Sequence, residues 1–145
     1  MNNNLRESSL KVSVIGLGYI GLPTAAILSS KGIEVIGVDV NKKIVDTINQ
    51  GKIHFFEPDL EMIVKGSVEK GNLRATMLPE KADVFMVTVS TPIKADHEPN
   101  LSNIKSAAKA ITPILEKGNL VILESTSPVG TTEKMIEWMK QERPD

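Results

Sequence analysis

Val12-Ser13-Val14-Ile15-Gly16-Leu17-Gly18-Tyr19-Ile20-Gly21 is the stretch on which the fold turns. A short apolar strand runs straight into Gly-x-Gly-x-x-Gly, and a helical pattern follows. That order suits a dinucleotide's pyrophosphate. Gly16 permits the tight turn, and Gly18 has no side chain to keep the phosphates from the backbone. Gly21 lets the next helix pack closely on the strand. The start of that helix offers unshared N–H groups and a partial positive charge to an anion. Glycine turns are common, so the flanking strand and helix carry the weight of this reading.

An acid sharpens it. Ile33-Glu34-Val35-Ile36-Gly37-Val38-Asp39 reads as a second strand ending in Asp39, 18 positions after Gly21. A spacing of about 20 is expected for the carboxylate that accepts hydrogen bonds from the adenosine ribose. The same charge repels a 2′-phosphate, so NAD is favoured over NADP. Lys42 and Lys43 pull the other way, because a lysine there tolerates a phosphate. Asn41, just before Lys42, suits the cap of the next helix better than Asp39 does.

The rest of the chain alternates strand and helix, which argues for a doubly wound parallel α/β sheet, Rossmann-like and covered on both faces. Strands are expected over 11–16, 33–39, 73–76, 82–89 and 120–123, the third at an edge and the last two buried. Helices are expected over 19–31, from Lys42 to near Gly51, over 59–69, from Ser102, and from Thr131. Pro23 falls in a first turn, where a missing N–H costs least, and Gly32 reads as a C-cap. Pro113 either kinks or ends its helix. Met62, Met77, Met86, Met135 and Met139 read as packing residues. A full dinucleotide fold has six strands, so the last is expected to be missing. Residues 1–10 read as a flexible tail and 11–145 as the nucleotide domain, truncated and without a substrate domain.

Bulk properties narrow the partners. The 145 residues carry a net charge of −1 and 41% hydrophobic residues, enough for one core. That charge makes no electrostatic case for nucleic acid or anionic membrane. No apolar run approaches a membrane span and no signal-peptide core is present, so the expected location is the cytoplasm. The chain has no cysteine, which excludes disulfides, thiolate metal sites and a thiol nucleophile within it.

Ligands of an open parallel sheet bind beyond the strands' carboxyl ends. Besides the glycine loop, three segments lie there: Asp39-Val40, Thr88-Val89-Ser90-Thr91-Pro92 and Glu124-Ser125-Thr126-Ser127-Pro128. Their hydroxyls suit ribose, carboxamide or substrate contacts, although such residues also populate ordinary turns. Asp96-His97-Glu98 reads as a solvated loop tip; no metal site is expected. His54, near Glu57 and Asp59, is a candidate for proton transfer with no partner named by sequence.

With those loops in view, the chain resembles the UDP-glucose/GDP-mannose dehydrogenase family. The likeness rests on Val14 to Ala26, Gly37-Val38-Asp39, Glu57-Pro58-Asp59-Leu60, Thr91-Pro92, Asp96-His97-Glu98-Pro99 and the long block Val121 to Met135. It covers the chain from about Val12 onward. The resemblance implies oxidation of a nucleotide sugar's C6 hydroxymethyl to a carboxylate, in two steps with two NAD⁺. It implies a cysteine in a later domain that forms a thiohemiacetal and then a thioester, with a downstream lysine and acids assisting. It implies a parent that is a homodimer or larger. Gly16, Gly18, Tyr19, Ile20, Gly21 and Asp39 then hold cofactor, Thr91 and Pro92 line the nicotinamide end, and Thr126 lies near the reacting carbon as the catalytic candidate. With no cysteine here, the isolated chain is expected to be inactive. A stand-alone NAD-binding or regulatory module, a dehydrogenase acting on UDP-glucose, and a methyltransferase remain open alternatives. A short-chain dehydrogenase needs Tyr-x-x-x-Lys; the sole tyrosine, Tyr19, is followed four positions on by Pro23.

Overall fold

Strands that are apolar on both faces need cover on both sides, and the chain supplies it with its first three helices on one face and its last two on the other. A computed structural model describes residues 9–145. Its strands are β1 (Lys11–Ile15), β2 (Glu34–Val38), β3 (Leu73–Thr76), β4 (Val84–Val87) and β5 (Leu120–Leu123). Its helices are α1 (Gly21–Ser30), α2 (Lys42–Asn49), α3 (Leu60–Glu69), α4 (Ser102–Ile111) and α5 (Thr131–Glu142). All pairs are parallel, in the order β3-β2-β1-β4-β5. The order reverses between β1 and β4, which places the loop after β1 at the switch point of a doubly wound sheet. The expected tail falls mostly on residues 1–8, outside the described residues; Leu10 is exposed.

Alternation along the strands builds two cores. Val12 and Val14 face one way, onto Leu22, Ala25 and Ala26 of α1 and Val64 of α3. Ile15, Ile36 and Phe85 face the other way, onto Ile104, Ala107 and Ile111 of α4 and Met135 of α5. Alanines on α1 and α4 let those helices lie close to the sheet. Asn41 caps α2 as expected, its Oδ1 accepting from the Lys43 N–H at 3.0 Å. Gly32 closes α1 with φ +86°, and Pro113 ends α4 by drawing Thr112–Ile114 into a 3₁₀ turn.

Several expectations need correction. The first helix begins at Gly21, so Tyr19 and Ile20 belong to the turn before it. The third begins at Leu60, because Asp59 is left-handed at φ +63°. β5 is not buried: among the described residues it pairs only with β4, and Leu120 is 54% exposed. Two methionines are not packing residues either. Met62 is on the solvent side of α3 and Met77 lines a cleft.

Candidate nucleotide-binding site

The glycine loop is shaped by its neighbours before any ligand is considered. Gly16 has φ +98°, and a Cβ there would lie 3.0 Å from the backbone of Thr88 and Val89. Its N–H is held by the Val38 carbonyl at 2.8 Å. A Cβ on Gly21 would sit 1.7 Å from the Gly16 carbonyl oxygen and 2.5 Å from Thr88 Oγ1. Gly21 therefore serves loop closure as much as helix-on-strand packing. Thr88, just past β4, is buried, with Oγ1 2.7 Å from the Gly16 carbonyl oxygen and 3.0 Å from that of Ile15. It pins the loop to the neighbouring strand.

Gly18 differs from both: no atom lies within 4 Å of the place a Cβ would take. It faces open space where its partners are tightly packed. Among the described residues, no group accepts from the N–H groups of Gly18, Tyr19, Ile20 or Gly21. Helix α1 has no side-chain cap and no acid in its first turn. These unshared donors and the positive end of the helix dipole form an anion site. Asp39 stands beside them, its Oδ2 accepting from the Leu17 N–H at 3.1 Å and its Oδ1 from the Asn41 N–H at 2.9 Å. A carboxylate has about four lone-pair positions, so capacity remains for ribose hydroxyls.

These groups open on one cleft of about 600 Å³ along the carboxyl edge of the sheet. Gly16, Gly18, Tyr19, Ile20 and Asp39 line its middle, and Thr91 and Thr126 line one end. The Thr91 hydroxyl donates to the Thr126 carbonyl at 2.5 Å, and the Ser125 hydroxyl to the Val89 carbonyl at 2.7 Å, so the loops after β4 and β5 are knitted together. Thr126 itself is exposed on the cleft wall. Pro92 stands apart: it is exposed outside the cleft, and its carbonyl accepts from Asn100 at 2.8 Å to close the following loop. The far end of the cleft is apolar, formed by Val40, Met77, Leu78 and Pro79. Met77 reads from sequence as a packing residue and Leu78-Pro79 carry no motif, although a Leu-Pro pair just past an edge strand must lie at the same carboxyl edge. Lys42 is paired to Asp46 at 2.6 Å.

The other candidates separate from this site. His54 packs edge-on against Phe55 at 4.8 Å, and Phe55 packs on Tyr19 at 4.5 Å. Burial lowers the His54 pKa below its ordinary 6.5, partly opposed by the charge of Asp39. Neither Glu57 nor Asp59 partners it. Residues 93–99 form a small exposed hairpin in which Asp96 Oδ1 accepts from the Glu98 N–H at 3.1 Å. Among the described residues, no group of three or more potential ligands could hold a metal ion. Among the described residues, no helix is long and apolar enough to cross a membrane.

A parallel sheet with this order, an uncapped helix behind a glycine turn and an acid at the next strand end define a dinucleotide-binding domain. The chain belongs to the UDP-glucose/GDP-mannose dehydrogenase family, whose NAD binding domain matches residues 10–145. It is 63% identical over 136 residues to the UDP-N-acetyl-D-mannosamine dehydrogenase of Campylobacter jejuni, covering 93% of this chain and 33% of that protein. It is 58% identical over 134 residues to the NDP-N-acetyl-D-galactosaminuronic acid dehydrogenase of Ralstonia nicotianae, covering 92% and 32%. The UDP-D-ManNAc dehydrogenase structure from Pyrococcus horikoshii superposes with a TM-score of 0.89 at 36% identity, covering 94% of this chain and 33% of that one. The chain thus spans about a third of the length of these relatives. NAD as the cofactor and the Rossmann-like sheet both follow from the family's domain and the fold.

Proposed function

We propose that this chain is the cofactor-holding portion of a nucleotide-sugar 6-dehydrogenase that oxidises UDP-N-acetyl-D-mannosamine to its uronate with two NAD⁺, in the cytoplasm, for surface polysaccharide synthesis. The observation that carries the reading is the set of unshared N–H groups at Gly18 to Gly21 beside the Asp39 carboxylate. The diphosphate takes those donors, with Gly16 and Gly21 holding the turn and Tyr19 and Ile20 flanking it. Asp39 takes the adenosine ribose. Thr91 and Thr126 line the opposite end of the cleft, where the nicotinamide and the sugar's reacting carbon meet. Pro92 supports that end through the loop it closes. Bound NAD⁺ supplies the hydride acceptor. The sugar is inferred from the 63% identical relative, and the galactosaminuronate relative marks the competing substrate. A thiol nucleophile, the sugar-binding surface and the homodimer contacts belong to residues outside this chain, which has no cysteine.

Calorimetric titration of the chain with NAD⁺, NADP⁺ and S-adenosylmethionine tests the cofactor half. NAD⁺ should bind and the other two should bind far more weakly. Preference for either of them overturns the reading. Incubating the chain with NAD⁺ and UDP-N-acetyl-D-mannosamine should yield no NADH. Sustained NADH formation would place the chemistry within these residues and refute the division proposed.

A further inference from the structure

We infer that Asp39 is a positioning residue for the glycine loop itself, acting through Leu17, in addition to the ribose role on which the proposed function relies. The two contacts are separate. Asp39 Oδ2 accepts from the N–H of Leu17, inside the glycine loop, while Oδ1 accepts from Asn41. Leu17 is fully buried, and its side chain occupies the space that a Cβ on Gly37 would take, 2.8 Å from Leu17 Cδ2. Gly37 and Asp39 are two residues apart on a strand end and so share one side of it. β2 therefore grips Leu17 twice, by its side chain at Gly37 and by its N–H at Asp39.

The consequence is local. Leu17 is the residue between the first two glycines, and its N–H, like that of Gly16 on the Val38 carbonyl, is taken by the protein. The four N–H groups that follow are left for an anion. A backbone bond to an ionised carboxylate is among the stronger ones. It holds the glycine loop in the shape that presents those donors. Gly37 has the matching duty of leaving room for Leu17, which no glycine motif signals. Removing the Asp39 charge to admit a 2′-phosphate would also release the loop, so such a variant loses NAD⁺ without gaining NADP⁺.

Amide hydrogen exchange on the nucleotide-free chain, read by NMR, tests this without any cofactor. In Asp39→Ala and in Asp39→Asn, Leu17 should exchange ~10-fold faster or more, the factor matching loss of a charged hydrogen bond. Val14 in β1 should stay as protected as in the parent, which separates loop release from unfolding. In Gly37→Ala, which leaves the carboxylate in place and removes no group proposed to touch nucleotide, NAD⁺ should bind ~10-fold more weakly because Leu17 must shift. Unchanged Leu17 exchange in the Asp39 variants overturns the inference, as does parental NAD⁺ affinity in Gly37→Ala. If the parent chain failed to bind NAD⁺, the exchange result would still decide the positioning role.

Discussion

Replacing Gly18 and Gly21 by alanine, one at a time, should separate two properties that the glycine motif merges. At Gly21 the added Cβ would lie 1.7 Å from the Gly16 carbonyl oxygen, a backbone atom held by the Val38 and Thr88 contacts around it. Reaching ordinary contact requires a displacement of about 2 Å. Overpacking of that kind costs ~3 kcal/mol or more. For a domain of this size the melting temperature should then fall by roughly 10 °C. At Gly18 nothing lies within 4 Å of the new methyl group. Its fold should be unharmed, with a melting temperature within about 2 °C of the parent or slightly above it, since alanine restricts the unfolded chain. The methyl group instead fills the space the diphosphate needs. Breaking one charge-assisted contact weakens NAD⁺ by ~10-fold or more. Differential scanning calorimetry and titration calorimetry on the same samples give both readouts. Parental NAD⁺ affinity in Gly18→Ala would mean that the phosphates do not approach that backbone. Parental stability in Gly21→Ala would mean that the close contact with Gly16 is absent.

Thr88→Val keeps the shape but removes the hydroxyl at the Gly16 carbonyl, and should cost ~1–2 kcal/mol in denaturant unfolding, whereas Thr88→Ser should restore most of it. Ser13 has a buried hydroxyl with no hydrogen-bond partner among the described residues, so Ser13→Ala should be neutral or stabilising by up to about 1 kcal/mol; a loss above that would reveal a partner. His54 has its folded-state pKa lowered from 6.5 by burial, so the unfolded chain takes up its proton first as pH falls. Stability should therefore decline as pH drops below about 6.5, level off below the folded-state value, and lose that component in His54→Gln. A pH profile identical in the variant would show that His54 contributes nothing to it.

The fold was legible because its signals are local. Val84 to Val87 is an apolar run and Val12 to Ile15 is one broken only by Ser13, as a doubly covered sheet requires, and each helix announces itself by spacing or by a cap such as Asn41. The glycine loop and Asp39 were legible for the same reason, since one turn and one strand end contain them. What escaped depends on tertiary register. Thr88 acts on Gly16 because β4 lies beside β1, a neighbour relation no run of residues states. Gly37 looks like a weak point in a strand until Leu17 is seen above it. β5 reads as buried because Leu120 to Leu123 are all apolar, yet burial requires a second neighbour that the sheet does not provide among the described residues. Pro92 is paired with Thr91 through the family resemblance, and one residue further along an irregular loop is enough to place it outside the cleft.

The division of labour within the site follows from which atoms do the recognising. The anion donors are backbone N–H groups, and the side chains around them mostly hold the backbone still: Thr88 from β4, Leu17 on Gly37, Asp39 from β2. A site built this way suits one invariant group, which we propose is the diphosphate, whatever is attached at the far end. On the proposed reading, selectivity comes from the cleft's two ends, with adenosine assigned to Asp39 and the apolar Val40–Leu78 side and the reacting groups to the Thr91–Thr126 loops. Those loops are tied to each other through the Thr91 hydroxyl and the Thr126 carbonyl, which leaves the Thr126 hydroxyl available to a ligand. Thr91→Val should therefore loosen the Thr126 loop and perturb the nicotinamide end while leaving adenosine binding intact.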